Sequence, residues 1–122
     1  MNTEPLIRSI EGVAAAPVPN TKGVSIQVLL GLDDQMPHFQ TRLFTLDPGA
    51  VIPEHCHDTI EHEQVMLEGE MVLILDGQER TAKAGNVVYI PANVKHSYEN
   101  RGKTATRFLC MIPNGEYSTQ WS

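Results

Sequence analysis

Residues 49–63 read GAVIPEHCHDTIEHE and hold three of the chain's five histidines, His55, His57 and His62, within eight residues. Because His55 and His57 are two positions apart, both imidazoles point to the same face of an extended strand, which is how a strand offers two ligands to one metal ion. His62 follows a short turn at residues 58–60, so the chain can return on a neighbouring strand. The alternative is that these are exposed histidines of a polar loop, which is common for an isolated His-x-His pair.

Short strand patterns, each ended by turn residues, follow one another from residue 24 to residue 112. The predicted strands are Val24–Leu30, Arg42–Leu46, Gln64–Leu67, Met71–Leu75, Gln78–Ala82, Val87–Ile90, His96–Glu99 and Thr104–Ile112. Asp76-Gly77 predicts a two-residue hairpin, because such a turn needs a positive φ at both positions. The sequence Asp-Pro-Gly at residues 47–49 predicts the end of the second strand.

No stretch has the 3.6-residue period and caps of a helix, so the pattern predicts an all-β sandwich or barrel. Residues 1–22 contain three prolines and an alanine run, and we expect them to form an N-terminal arm. Residues 23–122 then form one β-barrel domain.

Composition excludes several classes of protein. The chain has 122 residues, of which 41% are hydrophobic and 20% charged, as in an ordinary globular domain. Its net charge of −6 lacks the basic footprint of a nucleic-acid-binding protein. No apolar run approaches the ~18 residues of a membrane span, and the N-terminus lacks the layout of a signal peptide. We therefore expect a cytoplasmic protein with no nucleic-acid or membrane partner, whose two cysteines stay reduced.

A second sequence pattern supports the interpretation of the three clustered histidines as metal ligands. Gly85, Pro91, His96 and Asn100 have the spacing Gly-x5-Pro-x4-His-x3-Asn. Together with Gly49, His55, His57 and Gly69, these residues resemble the two motifs of the cupin superfamily over residues 40–112. The resemblance implies a single-domain cupin barrel, a double-stranded β-helix or jelly roll, that holds a metal ion.

Two departures from the family motifs matter. The usual glutamate ligand lies seven residues before the final glycine of the first motif, and here that position is His62, so the resemblance implies metal ligation by His55, His57, His62 and His96. Ligation by Glu61, through a register shift of one residue, remains an alternative. Asn93 replaces a glycine of the second motif, and asparagine tolerates the left-handed conformation well, so we expect the turn to persist.

The chain is most similar to small manganese cupins of bacteria and hyperthermophiles. The shared segments are residues 61–63 (EHE), 42–45 (RLFT) and 108–113 (FLCMIP). This resemblance implies one divalent transition metal per chain, preferably manganese, although iron, nickel, zinc or copper can occupy such a site. It also implies a homodimer, to which we expect residues 5–30 to contribute because their strand can extend a partner's sheet.

Strand alternation and the family resemblance together suggest the walls of a substrate pocket. The candidates are Phe44, Gln64, Met66, Phe108 and Cys110, although Phe108 and Cys110 are equally explained as plain core residues. Arg42 could anchor an anion, but outward ion pairing is the commoner role of an arginine. His38 and Cys56 are expected to stay outside the site.

Two classes of function remain open from the sequence, and no residue is assigned a catalytic role. In the first, the protein is a metalloenzyme of the dioxygenase type that uses oxygen or peroxide to oxidise a small, neutral or aromatic organic substrate. This follows because four imidazoles leave two of six metal positions open. In the second, the protein binds or isomerises a sugar or sugar acid.

Overall fold

The computed structural model describes residues 2–122, in which ten β-strands account for most of the chain. The strands are β1 (Ala16–Pro17), β2 (Lys22–Leu30), β3 (Phe39–His57), β4 (His62–Glu68), β5 (Glu70–Leu75), β6 (Gln78–Lys83), β7 (Val87–Ile90), β8 (His96–Glu99), β9 (Thr106–Pro113) and β10 (Thr119–Trp121). Two single-turn 3₁₀ helices, Ile10–Gly12 and Leu32–Asp34, complete the elements. Among these residues no helix has the length and apolar character needed to cross a membrane. The all-β prediction is confirmed.

The long strand β3 joins the two halves of a nearly closed antiparallel barrel. Its first part, Phe39–Leu46, pairs with β2 and β9, whereas its last part, Val51–His57, pairs with β8 and β10. β4 and β7 extend the first half beyond β9, and β5 and β6 extend the second half beyond β8. The interior between these two halves contains both the hydrophobic core and the histidines.

The prediction that residues 47–49 end a strand is wrong, because β3 continues through them. Gly49 adopts a φ of +82°, and its N–H donates to the Asn100 carbonyl at 2.8 Å, while the Asn100 N–H donates to the Ala50 carbonyl at 3.0 Å. The strand therefore bends at the glycine and exchanges one set of partner strands for another. The turn residues produce a corner in the strand instead of its end.

Two predicted turns are confirmed by their backbone angles. Asp76 and Gly77 have φ values of +47° and +81°, as a two-residue hairpin of the expected type requires. Asn93 has a φ of +66°, so asparagine does supply the left-handed residue in place of glycine.

Gly69 and Asn100, one from each motif, lie at close contacts between neighbouring segments of the barrel. A Cβ at Gly69 would lie 2.7 Å from the Ala105 carbonyl oxygen, and this glycine has a φ of +76°. Asn100 is 1% exposed, and its Nδ2 donates to the carbonyls of Leu46 and Thr104 at 3.0 and 2.9 Å. Both motif residues thus have a structural reason for their identity.

Part of the predicted arm is attached to the barrel. β1 pairs with β2, and Val18 packs against the core. Further upstream, an Arg8 guanidinium N–H donates to the Leu29 carbonyl at the outer edge of β2. Leu6, Ile7 and Ile10 nevertheless remain exposed.

Candidate metal centre

Three histidines converge in one half of the barrel. His55 lies on β3 directly opposite His96 of β8 in the strand register, and His57 follows two residues later on the same face. One nitrogen from each of the three rings lies within 4.8 Å of those of the other two. The strand spacing of His55 and His57 therefore brings both imidazoles to one point, and the pairing of β3 with β8 brings His96 to them.

Hydrogen bonds at Nδ1 orient these rings. His55 Nδ1 lies 2.8 Å from the Pro53 carbonyl oxygen, and His96 Nδ1 lies 2.8 Å from the Val94 carbonyl oxygen. Because a carbonyl only accepts, each Nδ1 carries the hydrogen, and each Nε2 keeps its lone pair for a ligand. His57 Nδ1 is similarly engaged, at 3.0 Å from Thr119 Oγ1.

His62 approaches the cluster from the opposite half of the barrel. It begins β4, and its ring centroid lies 5.0 Å from that of His57 and 5.3 Å from that of His96. Its Nδ1 lies 3.4 Å from Cys110 Sγ, and its buried Nε2 has no hydrogen-bond partner within residues 2–122. The ring is thus adjacent to those of His57 and His96, but only the nitrogens of His55, His57 and His96 meet at mutual distances below 4.8 Å. Ligation by His62 stays a prediction.

Glu63 lies on the outer face of β4, and Glu61 directly precedes this strand. Both are exposed, whereas His62 between them is buried, as strand alternation requires. Glu61 is also close to Tyr89, which is exposed on the outer surface. This placement does not favour the alternative in which Glu61 reaches the metal.

The environment keeps the imidazoles neutral. Burial lowers the pKa of His96 to about 4. Burial and repulsion from the neighbouring imidazoles lower the pKa of His57 to about 4 and that of His62 to about 2. Burial also lowers the pKa of His55. Neutral imidazoles are the form that binds metal.

The donor set fits a divalent transition metal. Buried Nε2 atoms of His62 and His96 have no hydrogen-bond partner among the described residues, and such atoms are costly to bury unless something binds them. Imidazole nitrogen suits iron, nickel, copper and zinc, whereas calcium and magnesium prefer oxygen ligands. The cluster can therefore hold a metal ion.

A cavity of about 360 Å³ opens beside the histidines. Four of the predicted pocket residues, Phe44, Gln64, Phe108 and Cys110, line it. Met66 does not. It is 2% exposed in the hydrophobic core, because it lies two residues further along β4 than Gln64 and pairs with Phe108. His38 is exposed and lies at a separate surface depression with Glu61, as expected for a residue outside the site.

A polar network crosses the cavity wall behind His62. An Arg42 guanidinium N–H donates to Cys110 Sγ at 3.2 Å, and Gln64 Nε2 lies 3.6 Å from the same sulfur. Gln64 Nε2 also donates to the Tyr98 hydroxyl at 2.8 Å. Cys110 thus connects Arg42 to His62, and Gln64 connects Cys110 to Tyr98.

Comparison with known families decides the classification. The cupin domain model of the family Cupin_2 matches residues 42–112, more than half of the chain. The chain belongs to the cupin family. An oxalate-binding protein of Thermotoga maritima is 30% identical over 112 residues, which cover 88% of this chain and 92% of that protein. An uncharacterized protein of Methanocaldococcus jannaschii is 38% identical over 73 residues, 59% of this chain and 62% of that relative's length.

Two solved structures agree with the fold. The polyketide cyclase RemF from Streptomyces resistomycificus superposes with a TM-score of 0.89 at 24% identity, covering 97% of this chain and 85% of that one. A sugar phosphate isomerase of the cupin superfamily from Silicibacter pomeroyi superposes with a TM-score of 0.80 at 22% identity, covering 93% and 80%. At these identities the likeness establishes the fold alone.

The sequence patterns did not reveal the parts of this cupin's cavity that come from its ends. Tyr117, Thr119 and Trp121 line one side, and residues 18–20 line another. The ring centroid of Tyr117 lies 5.3 Å from that of His57, and the ring centroid of Trp121 lies 4.7 Å from that of His55. The alternate spacing of residues 117, 119 and 121 was the available signal, since side chains two apart share a strand face.

Proposed function

We propose that this cupin is a metal-dependent oxidoreductase that holds one divalent transition metal, manganese in the cell, on His55, His57, His62 and His96. Four imidazoles on an ion that prefers six ligands would leave two positions for other ligands. Such an ion would supply redox and Lewis-acid chemistry to oxygen or peroxide and to a small organic substrate. The observation that carries the proposal is the convergence of neutral imidazoles whose Nδ1 atoms are already engaged.

The aromatic lining of the cavity favours an organic substrate that is flat and largely apolar. Phe44 and Phe108 are stacked with their ring centroids 5.3 Å apart, and Tyr98 stacks on Phe108 at 5.6 Å. Trp121 and Tyr117 add partly exposed aromatic surface at the mouth. A sugar would need a polar partner for each hydroxyl, whereas the exposed lining of this cavity is mostly apolar.

Isomerisation of a sugar or sugar acid is the weaker alternative. Such a reaction needs a base that takes a proton from carbon and returns it to a neighbouring atom. Within residues 2–122 no aspartate, glutamate or lysine lines the cavity. Burial raises the pKa of the Tyr98 hydroxyl, which keeps it protonated and unsuited to act as a base.

The experiment compares metal content and oxidant consumption. Protein purified without a metal-affinity step should contain one metal ion per chain, and reloading with Mn²⁺ or Fe²⁺ should give substrate-dependent consumption of O₂ or peroxide across a panel of aromatic compounds. The variant His62→Ala should bind metal at least about 10-fold more weakly, because removing a ligand costs no less than removing a ligand's outer hydrogen-bond partner. His38→Ala is the matched control and should behave as wild type, since His38 is exposed outside the cavity.

Two results would overturn the proposal. Unchanged metal affinity in His62→Ala would restrict the site to three histidines. A loaded wild-type protein that consumes no oxidant with any compound, yet binds a sugar acid tightly, would establish the binding or isomerase alternative.

A further inference from the structure

The cavity contains one formally charged side chain, and that charge is positive. Arg42 lines the cavity, whereas no carboxylate among residues 2–122 does so, although the chain as a whole has a net charge of −6. The acidic residues therefore lie elsewhere on the molecule. A divalent ion on neutral histidines would add to this positive charge, because imidazoles do not compensate it.

Arg42 has no anionic partner among the described residues. The ion pairs within residues 2–122 involve Arg8, Arg101 and Arg107, and none includes Arg42. Its polar contact is with the Cys110 sulfur at 3.2 Å, and its buried Nε has no hydrogen-bond partner. Sequence reasoning favoured outward ion pairing for this arginine, and the structure instead places it in the cavity wall.

A half-buried guanidinium without a counter-ion is unfavourable unless a ligand provides one. Charges taken out of water are retained in folded proteins mainly where they are paired, and guanidinium is shaped to receive a carboxylate through two parallel N–H donors. The guanidinium carbon of Arg42 also lies 5.1 Å from the centroid of the Phe44 ring, so a charged group and an apolar ring are adjacent in the cavity wall.

Arg42 is close to the histidine cluster. Its N–H reaches Cys110 Sγ at 3.2 Å, and that sulfur is 3.4 Å from His62 Nδ1. One small molecule can therefore contact the guanidinium and the histidine end of the cavity together. The cavity volume of about 360 Å³ is at the small end of the range of ligand sites, which limits the occupant to a compact molecule.

We propose that the ligand of this cavity is a small aromatic carboxylate, whose carboxylate binds Arg42, whose ring packs against the aromatic lining of the cavity and whose remaining oxygen faces the histidines. This inference rests on the proposed function for the metal-facing oxygen, and it changes the expected substrate from a neutral to an anionic compound. The expected preference of the cavity for an anion does not depend on the metal, since Arg42 is charged with or without a metal ion.

The test uses Trp121 as the reporter, because it is the only tryptophan of the chain and lines the cavity. Quenching of its fluorescence is titrated with 2-hydroxybenzoate and with 2-hydroxybenzamide, which has a similar shape but no charge. Wild type should bind the acid about 10- to 100-fold more tightly than the amide, the range expected for a hydrogen bond to a charged group. Arg42→Gln should reduce this affinity ratio to about one. Arg42→Lys should retain part of the preference for the acid, because lysine keeps the positive charge but lacks the two parallel N–H donors of guanidinium.

Arg80→Gln is the matched control, since Arg80 is exposed and distant from the cavity in the strand order. It should keep the wild-type ratio. Circular dichroism of every variant shows whether the barrel is intact, and Arg42→Lys serves as the test if Arg42→Gln does not fold. Equal affinities for acid and amide in wild type, an unchanged ratio in Arg42→Gln, or no binding of aromatic acids would each overturn the inference.

Titrating both the metal-free and the metal-loaded protein separates this inference from the proposed function. A preference for the acid in both forms, with no oxidant consumption, would support the Arg42 site and refute the oxidoreductase. Oxidant consumption without any preference for the acid would refute the Arg42 site alone.

Discussion

Acidifying the metal-free protein should destabilise its fold through His96. This side chain is 1% exposed, and burial lowers its pKa from 6.5 to about 4. In the unfolded chain the ring takes up a proton near its ordinary pKa, so between the two values the unfolded state binds more protons than the folded state. The stabilising contribution is therefore complete above pH 6.5 and is lost as the pH falls towards 4. The two values give a loss of about 3 kcal/mol at pH 4.

Urea denaturation of chelator-treated protein at a series of pH values measures this loss. Wild type is compared with His96→Gln, which has no titrating group at this position, and with His38→Gln, which removes an exposed histidine. Carboxylates and the other histidines titrate in all three proteins, so the difference between the first two measures His96 together with its repulsion of His57 and His62. Wild type and His38→Gln should lose about 3 kcal/mol more than His96→Gln between about pH 7 and pH 4.

The size of the effect makes the test sensitive. A domain of this kind is stable by only about 5–15 kcal/mol, so the loss from one histidine is a large fraction of the total. The lowered pKa values of His57 and His62 act in the same direction. If wild type and His96→Gln lose stability equally with acid, His96 is not held neutral by burial, and our account of the cluster as a set of neutral ligands is incorrect.

Two further predictions concern the scaffold. Gly69→Ala should destabilise the fold by about 2 kcal/mol or more, because its Cβ would meet the Ala105 carbonyl at a positive φ; Gly85→Ala, where nothing lies within 4 Å of a Cβ, is the control that isolates the clash from the backbone strain. The protein should be a homodimer through its N-terminal arm, as the exposed side chains of Leu6 and Ile7 suggest. Light scattering at micromolar concentration should give twice the 13.5 kDa chain mass, and a monomer would contradict this.

Local signals predicted most of the strands because their turns are local. Val87–Ile90 and His96–Glu99 have the predicted bounds, and the Asp76-Gly77 hairpin has the predicted backbone angles. A two-residue turn depends on the φ values that its own residues tolerate, which the sequence states directly. For the same reason the left-handed conformation of Asn93 could be predicted from one position.

Long-range pairing was harder to predict. Whether residues 47–49 end a strand or bend it depends on β8 and β9, which are more than forty residues away and pair with different parts of β3. The cavity-lining role of residues 18–20 and of Trp121 likewise depends on where the chain ends fold back. Neither is encoded by a short pattern, because each results from contacts that exist only in the closed barrel.

The position of a residue along the barrel axis was the other property that the sequence could not predict. The side chains of His62, Gln64 and Met66 all point to the inner face of β4, and all three were therefore predicted to be site residues. Alternation fixes the face of the sheet but not the position along the barrel axis. The register with β9 places Gln64 opposite Cys110 and Met66 opposite Phe108, which leaves Met66 in the core.

Metal and protons should compete for the same lone pairs in this cupin, and this links metal occupancy to stability. The buried Nε2 atoms of His62 and His96 are unsatisfied in the neutral protein, and both burial and mutual repulsion resist their protonation. A metal ion at 100 times its dissociation constant stabilises a protein by about 2.7 kcal/mol, similar to the about 3 kcal/mol that acid removes through His96. Metal loading should therefore shift acid unfolding to lower pH, and the shift should be smaller in His62→Ala if that ring is a ligand.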